Sequence, residues 1–148
     1  MKIYIASDHA GFYLKKELIK YLGIKGYDVE DVGAFEMDEE DDYPDFIIPC
    51  VKKVVDDTES LGIVIGGSGN GEAIAANKIK GIRAAVYNSG KADIAKAAKE
   101  HNDANVLSLG ARFITSDEAK RAVTTWLEAE FQGDRHQRRL DKISKLED

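Results

Sequence analysis

The 148-residue sequence has a single cysteine, two prolines, one tryptophan and no excess of positive charge. One cysteine, Cys50, excludes an internal disulfide framework and a cysteine-based zinc site, so we expect a cytoplasmic protein. No apolar run approaches the roughly 18 residues that a membrane-spanning helix needs. The first residues, Met1 to Ile5, are typical of a strand and lack a signal-peptide pattern. The sequence therefore predicts no membrane partner.

The charge balance of 27 acidic against 21 basic residues gives a net charge of −6. Nucleic-acid binding requires a broad basic surface, so we expect no nucleic-acid partner. The negative net charge does not exclude a small anionic substrate, because a few arginines can create a local positive charge. In the segment 36–42, six of seven residues are acidic. We interpret it as a solvated loop rather than a metal site, because it lacks the ligand spacing of a calcium loop.

Apolar, strand-like segments alternate with helical patterns along the whole chain. The predicted strands are 2–6, 27–32, 61–65, 82–87 and 106–109. Helices are predicted over about 11–22, 44–55, 72–78, 92–100 and 116–131. This alternation predicts a three-layer α/β fold, a doubly wound, Rossmann-like five-stranded parallel sheet. We expect one domain over residues 1–148, with an extra C-terminal helix as a tail over 134–146.

Two local details of the predicted helices can be tested. Pro49 is expected to distort the first turns of the second helix, because proline lacks the backbone N–H. Ser116 is expected to start the fifth helix, with only a weak capping pair to Ala119 and Lys120. Cys50 lies in an apolar helical pattern and is predicted to be a core residue rather than a nucleophile.

The segment 66–72 is the most informative, and it reads Gly-Gly-Ser-Gly-Asn-Gly-Glu. It joins the third strand to the third helix, so its backbone N–H groups suit a phosphate or a developing oxyanion. It matches neither the phosphate-loop nor the dinucleotide pattern, and a structural turn is almost equally favoured. Ser68 and Glu72 offer a hydroxyl and a carboxylate base, although Glu72 could also act only as a helix cap.

Other candidates follow the first and last strands or end a helix. Asp8 and His9 follow the first strand and Arg112 follows the last, at the edge where doubly wound folds bind ligands. Asp8 could instead cap the next helix. His101 and Asn102 end the fourth helix, where a histidine is favoured by the helix dipole in any protein. Several polar candidate residues at one edge of the sheet together indicate a ligand-binding site.

The tail 135–139 is locally basic within an acidic protein. Arg135 and Arg139 are four residues apart on one helical face, so two guanidinium groups could bind one phosphate. A solvated face with salt bridges is the alternative. Tyr43 could contact a ligand or pack at the start of the second helix.

Several motifs follow one another along the chain, each weak alone but specific as an ordered set. They are Ala-Ser-Asp-His-Ala-Gly (6–11), Asp-Tyr-Pro-Asp (42–45), the loop 66–72 followed by Ala-Ala-Asn-Lys (75–78), Glu-His-Asn-Asp-Ala-Asn (100–105), Gly-Ala-Arg (110–112) and Arg-His-Gln-Arg-Arg (135–139). Together they resemble the type B ribose-5-phosphate isomerase family, which includes the galactose-6-phosphate isomerase subunits. The resemblance implies an aldose–ketose isomerase of sugar phosphates with no metal or organic cofactor.

The resemblance also implies roles for individual residues. Many members carry a catalytic cysteine where this chain has Gly66, so the chain resembles the branch in which Glu72 is the base. His101 would open the sugar ring with Asp8 holding a hydroxyl, and Ser68 would handle the proton at O1 and O2. The implied substrate-binding residues are His9, Arg112, Arg135 and Arg139 for the phosphate, Asn102 for the sugar, and Gly67, Gly69, Asn70 and Gly71 in the loop.

The leading prediction is the interconversion of ribose 5-phosphate and ribulose 5-phosphate through a cis-enediolate, in the pentose phosphate pathway. A hexose 6-phosphate such as allose or galactose 6-phosphate is the alternative substrate. A sugar-phosphate-binding module without catalysis is the alternative outside the enzymes. The family resemblance further implies a homodimer or a dimer of dimers with shared active sites.

Overall fold

The computed structural model describes residues 1–148 and contains one five-stranded sheet. Its strands are β1 (Lys2–Ser7), β2 (Asp28–Asp31), β3 (Leu61–Gly66), β4 (Ala84–Tyr87) and β5 (Val106–Gly110). Their order is β2-β1-β3-β5-β4, and every neighbouring pair is parallel. The predicted five-stranded parallel sheet is confirmed.

Six helices connect and cover the strands. They are α1 (Phe12–Ile24), α2 (Pro44–Asp56), α3 (Asn70–Asn77), α4 (Asp93–Asn102), α5 (Ser116–Glu128) and α6 (Arg135–Ser144). Helices α1, α4 and α5 bury apolar residues on one face of the sheet, and α2 and α3 do so on the other. The three predicted layers are therefore present. None of the helices has the length and apolar character needed to cross a membrane.

The central strands supply both hydrophobic cores, because alternate side chains of a strand point to opposite faces. In β3, Ile63 and Ile65 belong to the α1–α4–α5 side, and Val64 belongs to the α2–α3 side. Cys50 on α2 is fully buried, and burial raises the pKa of its thiol to about 12. The thiol thus stays protonated at neutral pH, as expected of the predicted core residue.

The structure bears on three details of the predicted elements. Ile82 is buried but lies outside β4, because its N–H donates to the Ile79 carbonyl in a turn at 3.1 Å. Helix α2 continues through Pro49, so the proline does not end the helix, and the distortion of its first turns stays a prediction. The expected weak pairing of Ser116 with the following turn is wrong, since the N-cap of α5 is Thr115 in extended backbone geometry.

A complete capping box starts α5. The Glu118 N–H donates to the Thr115 hydroxyl at 3.1 Å, and the Thr115 N–H donates to the Glu118 carboxylate at 2.9 Å. Two backbone donors that the helix itself cannot satisfy are thereby paired.

Replacing Thr115 with alanine should lower the free energy of unfolding by about 1 kcal/mol, because the substitution removes one half of the capping box. Equilibrium urea denaturation measures the change. The control is Ser116→Ala, since the Ser116 hydroxyl has no hydrogen-bond partner. Equal losses of stability in the two variants would contradict the assignment of the cap.

Candidate active site

Three loops with polar side chains meet at the carboxyl edge of the sheet. Asp8 follows β1, the glycine-rich segment 67–69 follows β3, and Arg112 follows β5. The strand register pairs Gly66 with Gly110, so the last two loops leave the sheet at the same level. The predicted convergence at this edge is therefore present for the residues that follow strands.

The loop between β3 and α3 is held in shape from the sheet side. Gly69 caps α3 with φ of 82°, a conformation that favours glycine. The Ser108 hydroxyl donates to the Gly69 carbonyl at 2.6 Å, and the Asn88 amide donates to the Ser68 carbonyl at 2.9 Å. The Asn70 N–H donates to the Ser68 hydroxyl at 3.1 Å. The chain's own hydrogen bonds thus fix the loop conformation.

Glu72 lies in the first turn of α3, and its side chain folds back over Gly66. A Cβ added at residue 66 would overlap the Glu72 carboxylate, so any larger residue there would displace this carboxylate from its position. Glu72 is 4% exposed, and its Oε2 is buried without a hydrogen-bond partner. A satisfied helix cap would not leave this oxygen free, so the geometry favours a chemical role.

The surroundings of Glu72 make its carboxylate a stronger base. Burial raises the pKa of Glu72 above its usual range, and the negative charge of Asp8 acts in the same direction. A hydrogen bond to its own backbone opposes both effects. A carboxylate with a raised pKa takes up a proton more readily than an ordinary one.

Asp8 combines a structural bond with a free oxygen. Its Oδ1 accepts from the Ala10 N–H at 3.0 Å and from the Gly11 N–H at 3.4 Å, which caps the short 3₁₀ turn of His9–Gly11. The alternative capping role of Asp8 is therefore confirmed. Its second oxygen stays available to a ligand, so the two roles are compatible.

His9 is held by an acidic residue that the sequence did not single out. Its Nδ1 lies 2.7 Å from Oδ1 of Asp41, and the same oxygen accepts from the His9 backbone N–H at 3.1 Å. The hydrogen bond to Asp41 is the main reason why the pKa of His9 is raised. The side chain of Asp41 is only 7% exposed. The interpretation of 36–42 as a solvated loop is therefore wrong at this residue.

Asp8, His9 and Asp41 are also the side chains that could hold a metal ion. Their potential ligand atoms lie within 4.8 Å of one another. The hydrogen bond between His9 and Asp41 and the cap made by Asp8 account for this closeness without an ion.

Tyr43 and Arg112 flank the loop on two sides. The Tyr43 ring lies so close to Gly71 that a Cβ there would be 2.7 Å from it, and the Arg112 guanidinium lies over Gly67. Tyr43 also packs against the core on the α2–α3 side. The packing of Tyr43 at the start of α2 is therefore confirmed, and its contact with a ligand stays a prediction.

His101 and Asn102 lie at the opposite edge of the sheet, near the amino ends of the strands. Helix α4 runs from the carboxyl end of β4 to the amino end of β5, over about 15 Å. Asn102 accordingly lines a cavity with Gly81 and Ile82, which precede β4. Within one chain, His101 and Asn102 therefore do not join the other candidates at the carboxyl edge of the sheet. The expectation of a shared edge is wrong for these two residues, because helices of this fold run antiparallel to the strands.

The tail helix brings two further candidates to the end of α4. The rings of His101 and His136 stack with centroids 4.5 Å apart and planes 12° apart. Arg135 and Arg139 flank His136 on α6 and are exposed. Neither arginine forms a salt bridge within the chain, nor does Arg112. The alternative of a salt-bridged face is therefore not supported.

The candidate residues thus form two groups in one chain. The loop group at the carboxyl edge contains Asp8, His9, Gly67, Ser68, Gly69, Asn70, Gly71, Glu72 and Arg112. The helix-end group at the far end of α4 contains His101, Asn102, Arg135 and Arg139.

Comparison with known proteins decides the family. The sequence model of the Ribose/Galactose Isomerase family matches residues 3–143. The chain belongs to this family. Ribose-5-phosphate isomerase B of Mycolicibacterium paratuberculosis is 45% identical over 148 residues, which cover 99% of this chain and 92% of that protein. The family suggested by the order of the motifs is confirmed.

Solved structures of the ribose/galactose isomerase family have the same fold. Ribose-5-phosphate isomerase B of Mycoplasma genitalium, crystallised with bound ribulose 5-phosphate, has a TM-score of 0.95 at 44% identity, covering 99% of this chain and 95% of that one. The Clostridium thermocellum enzyme has a TM-score of 0.94 at 48% identity, covering 99% and 97% of the two chains. The Rossmann-like architecture predicted from the sequence is confirmed.

Gly66→Ala should lower turnover of this isomerase by about 100-fold, because the new Cβ displaces the Glu72 carboxylate. Steady-state kinetics and thermal melting measure the loss of turnover and the state of the fold. The control is Gly23→Ala on α1, where an added Cβ meets no atom within 4 Å. A fully active Gly66→Ala enzyme would contradict the placement of this carboxylate.

Proposed function

We propose that this chain interconverts ribose 5-phosphate and ribulose 5-phosphate by proton transfer through a cis-enediolate, as a step of the pentose phosphate pathway. The observation that carries the proposal is the buried carboxylate of Glu72, whose Oε2 has no hydrogen-bond partner, beside the glycine-rich loop. The Mycoplasma genitalium relative with bound ribulose 5-phosphate supports the choice of substrate. The proposal treats residues 1–148 as one isomerase domain in the cytoplasm.

In this proposal Glu72 is the general base. Its carboxylate removes the C2 proton of the open-chain aldose and returns it to C1, which produces the ketose. The raised pKa of Glu72 supports the role, because a base is most effective when its pKa approaches the working pH. The absence of a bonded partner at Oε2 means that no hydrogen bond has to break first.

The glycine-rich loop stabilises the enediolate in this mechanism. Negative charge develops on the two oxygens of the sugar while the proton is in transit, and backbone N–H groups at a helix N-terminus oppose that charge. The loop amides of Gly67, Gly69 and Gly71 are assigned to this role, and Asn70, whose N–H donates to the Ser68 hydroxyl, is assigned to substrate binding. Ser68 moves the proton between O1 and O2. The fixed loop shape supports the assignment, since preorganised donors need no rearrangement during the reaction.

Ring opening and phosphate binding use the remaining candidates. His101 is the acid that opens the furanose ring, Asp8 holds a sugar hydroxyl, and Asn102 binds the sugar. The phosphate is bound by His9, Arg112, Arg135 and Arg139. The absence of salt bridges to the three arginines supports this role, because their charges are not neutralised within the chain. An anchored phosphate orients the carbons that react.

A homodimer, or a dimer of dimers, with shared active sites is part of the proposal. The loop group and the helix-end group lie at opposite edges of one chain, so a second copy is needed to bring them together. Strand β4 is an edge strand beside an open groove of about 570 Å³, which it forms with α3. Ile74 borders this groove and is 64% exposed. Exposed edges with apolar neighbours are commonly covered by another chain.

Initial rates with ribose 5-phosphate, allose 6-phosphate and galactose 6-phosphate test the proposed substrate. We expect the highest kcat/KM with ribose 5-phosphate, because an added carbon requires a deeper pocket. A higher value with either hexose phosphate would favour the alternative isomerase. No turnover of any of the three would favour a sugar-phosphate-binding module.

Glu72→Gln should abolish turnover while substrate still binds, because glutamine keeps the shape of the side chain but cannot accept the proton. Calorimetric titration with ribulose 5-phosphate measures the binding that remains. In the wild type, kcat should fall as the pH decreases through the pKa of Glu72, because only the ionised form is a base. This fall should occur above the ordinary glutamate value of 4.5. Unchanged turnover in Glu72→Gln would refute the assigned base.

Subunit mixing tests the shared site. Co-expression of a Glu72→Gln chain with an Arg135→Ala, Arg139→Ala chain, each with its own affinity tag, yields purified heterodimers. A shared site predicts about half of the wild-type activity, since one of two sites then carries no substitution. A site built from one chain predicts almost none. The control heterodimer of wild-type and Glu72→Gln chains should have half of the activity under either arrangement.

A further inference from the structure

One residue of the acidic segment 36–42 differs from the others in its environment. The side chain of Asp41 is 7% exposed, whereas the other five acidic residues of the segment are exposed. Its Oδ2 is buried and has no hydrogen-bond partner. Burying a carboxylate away from water costs free energy unless hydrogen bonds or an opposite charge compensate. The position of Asp41 therefore requires an explanation other than solubility.

Both side-chain hydrogen bonds of Asp41 are made to His9. Its Oδ1 lies 2.7 Å from Nδ1 of the His9 ring and accepts the His9 backbone N–H at 3.1 Å. Two bonds to one oxygen fix the ring relative to the backbone. A proton on Nδ1 is required for the ring to donate to this carboxylate, and the other ring nitrogen, Nε2, is left for a ligand.

We propose that Asp41 is a positioning residue that fixes the His9 ring through its Nδ1 and directs its Nε2 at the substrate phosphate. The inference rests on the proposed function, which assigns His9 to the phosphate. It extends that function by adding a residue that does not itself touch the substrate.

The charges around His9 explain why such a residue is needed. Arg112 lies near enough to lower the pKa of His9, because two cations repel each other. The hydrogen bond to Asp41, with the negative charges of Asp41 and Asp8, outweighs this repulsion and raises the pKa. Asp41 thereby favours the charged form of His9 beside the Arg112 guanidinium, and two adjacent cations suit the binding of a phosphate dianion.

The titration of His9 tests the inference without any substrate. The chain has three histidines, so NMR spectra of ¹⁵N-histidine-labelled protein can be assigned with His9→Gln. In the wild type, the His9 midpoint should lie above 6.5 and rise further with inorganic phosphate. Asp41→Asn should lower this midpoint and reduce its response to phosphate. The matched control is Glu40→Gln, an exposed neighbour with no side-chain bond, which should leave both unchanged.

Kinetics separate positioning from a general effect on the fold. Asp41→Asn should raise KM for ribose 5-phosphate about tenfold with little change in kcat, as expected for one lost charged hydrogen bond. In the wild type, KM should rise as the pH increases through the pKa of His9, and Asp41→Asn should shift this rise to lower pH. A loss confined to kcat, or an unchanged His9 midpoint in Asp41→Asn, would overturn the inference.

The wild-type titration decides the inference if Asp41→Asn does not fold. A wild-type His9 midpoint at or below 6.5 overturns it, and a higher midpoint that responds to phosphate supports it. Failure of the proposed function gives a different result. In that case the wild type does not turn over ribose 5-phosphate, while the effect of Asp41 on the His9 titration can still be measured.

Discussion

The contact of the Glu72 carboxylate with the backbone of Gly66 is the constraint on which the site depends. It combines a glycine at the end of β3, which leaves room for the carboxylate, with a left-handed turn at Gly69 and a buried first turn of α3. The same burial works against stability. Because the folded chain holds the Glu72 proton more tightly than the unfolded chain does, ionisation of this group lowers the free energy of unfolding as the pH rises. The two hydrophobic cores must offset that loss.

The fold could be predicted from the sequence because buried parallel strands are short, almost continuous apolar runs. The runs at 61–65 and 106–109 form strands β3 and β5. The position of the first run also predicted that the glycine-rich segment joins a strand to a helix. The cap of α5 was harder to predict, because Thr115 and Ser116 are adjacent hydroxyl residues. Only the pairing with Glu118 distinguishes them.

Two features of the site required the tertiary structure. Asp41 cannot be distinguished by composition from its acidic neighbours, because its burial results from the docking of a loop against His9. The edge at which His101 lies depends on the direction of α4, and proximity to a strand in sequence does not give that direction. The alternation of strands and helices contained this information, since each connecting helix runs back toward the amino ends of the strands.

The division of the candidate residues follows from the same topology. In a doubly wound fold, residues after strands lie at one edge and residues at the ends of connecting helices lie at the other. A sugar phosphate that uses the base of the loop group and the arginines of the helix-end group therefore needs two copies of the chain. Because phosphate binding orients the reacting carbons, an isolated chain would bear the base with only His9 and Arg112 of the four assigned phosphate-binding residues. The proposed assembly thus belongs to catalysis as well as to stability, and it allows a protein with a net charge of −6 to offer a cationic pocket.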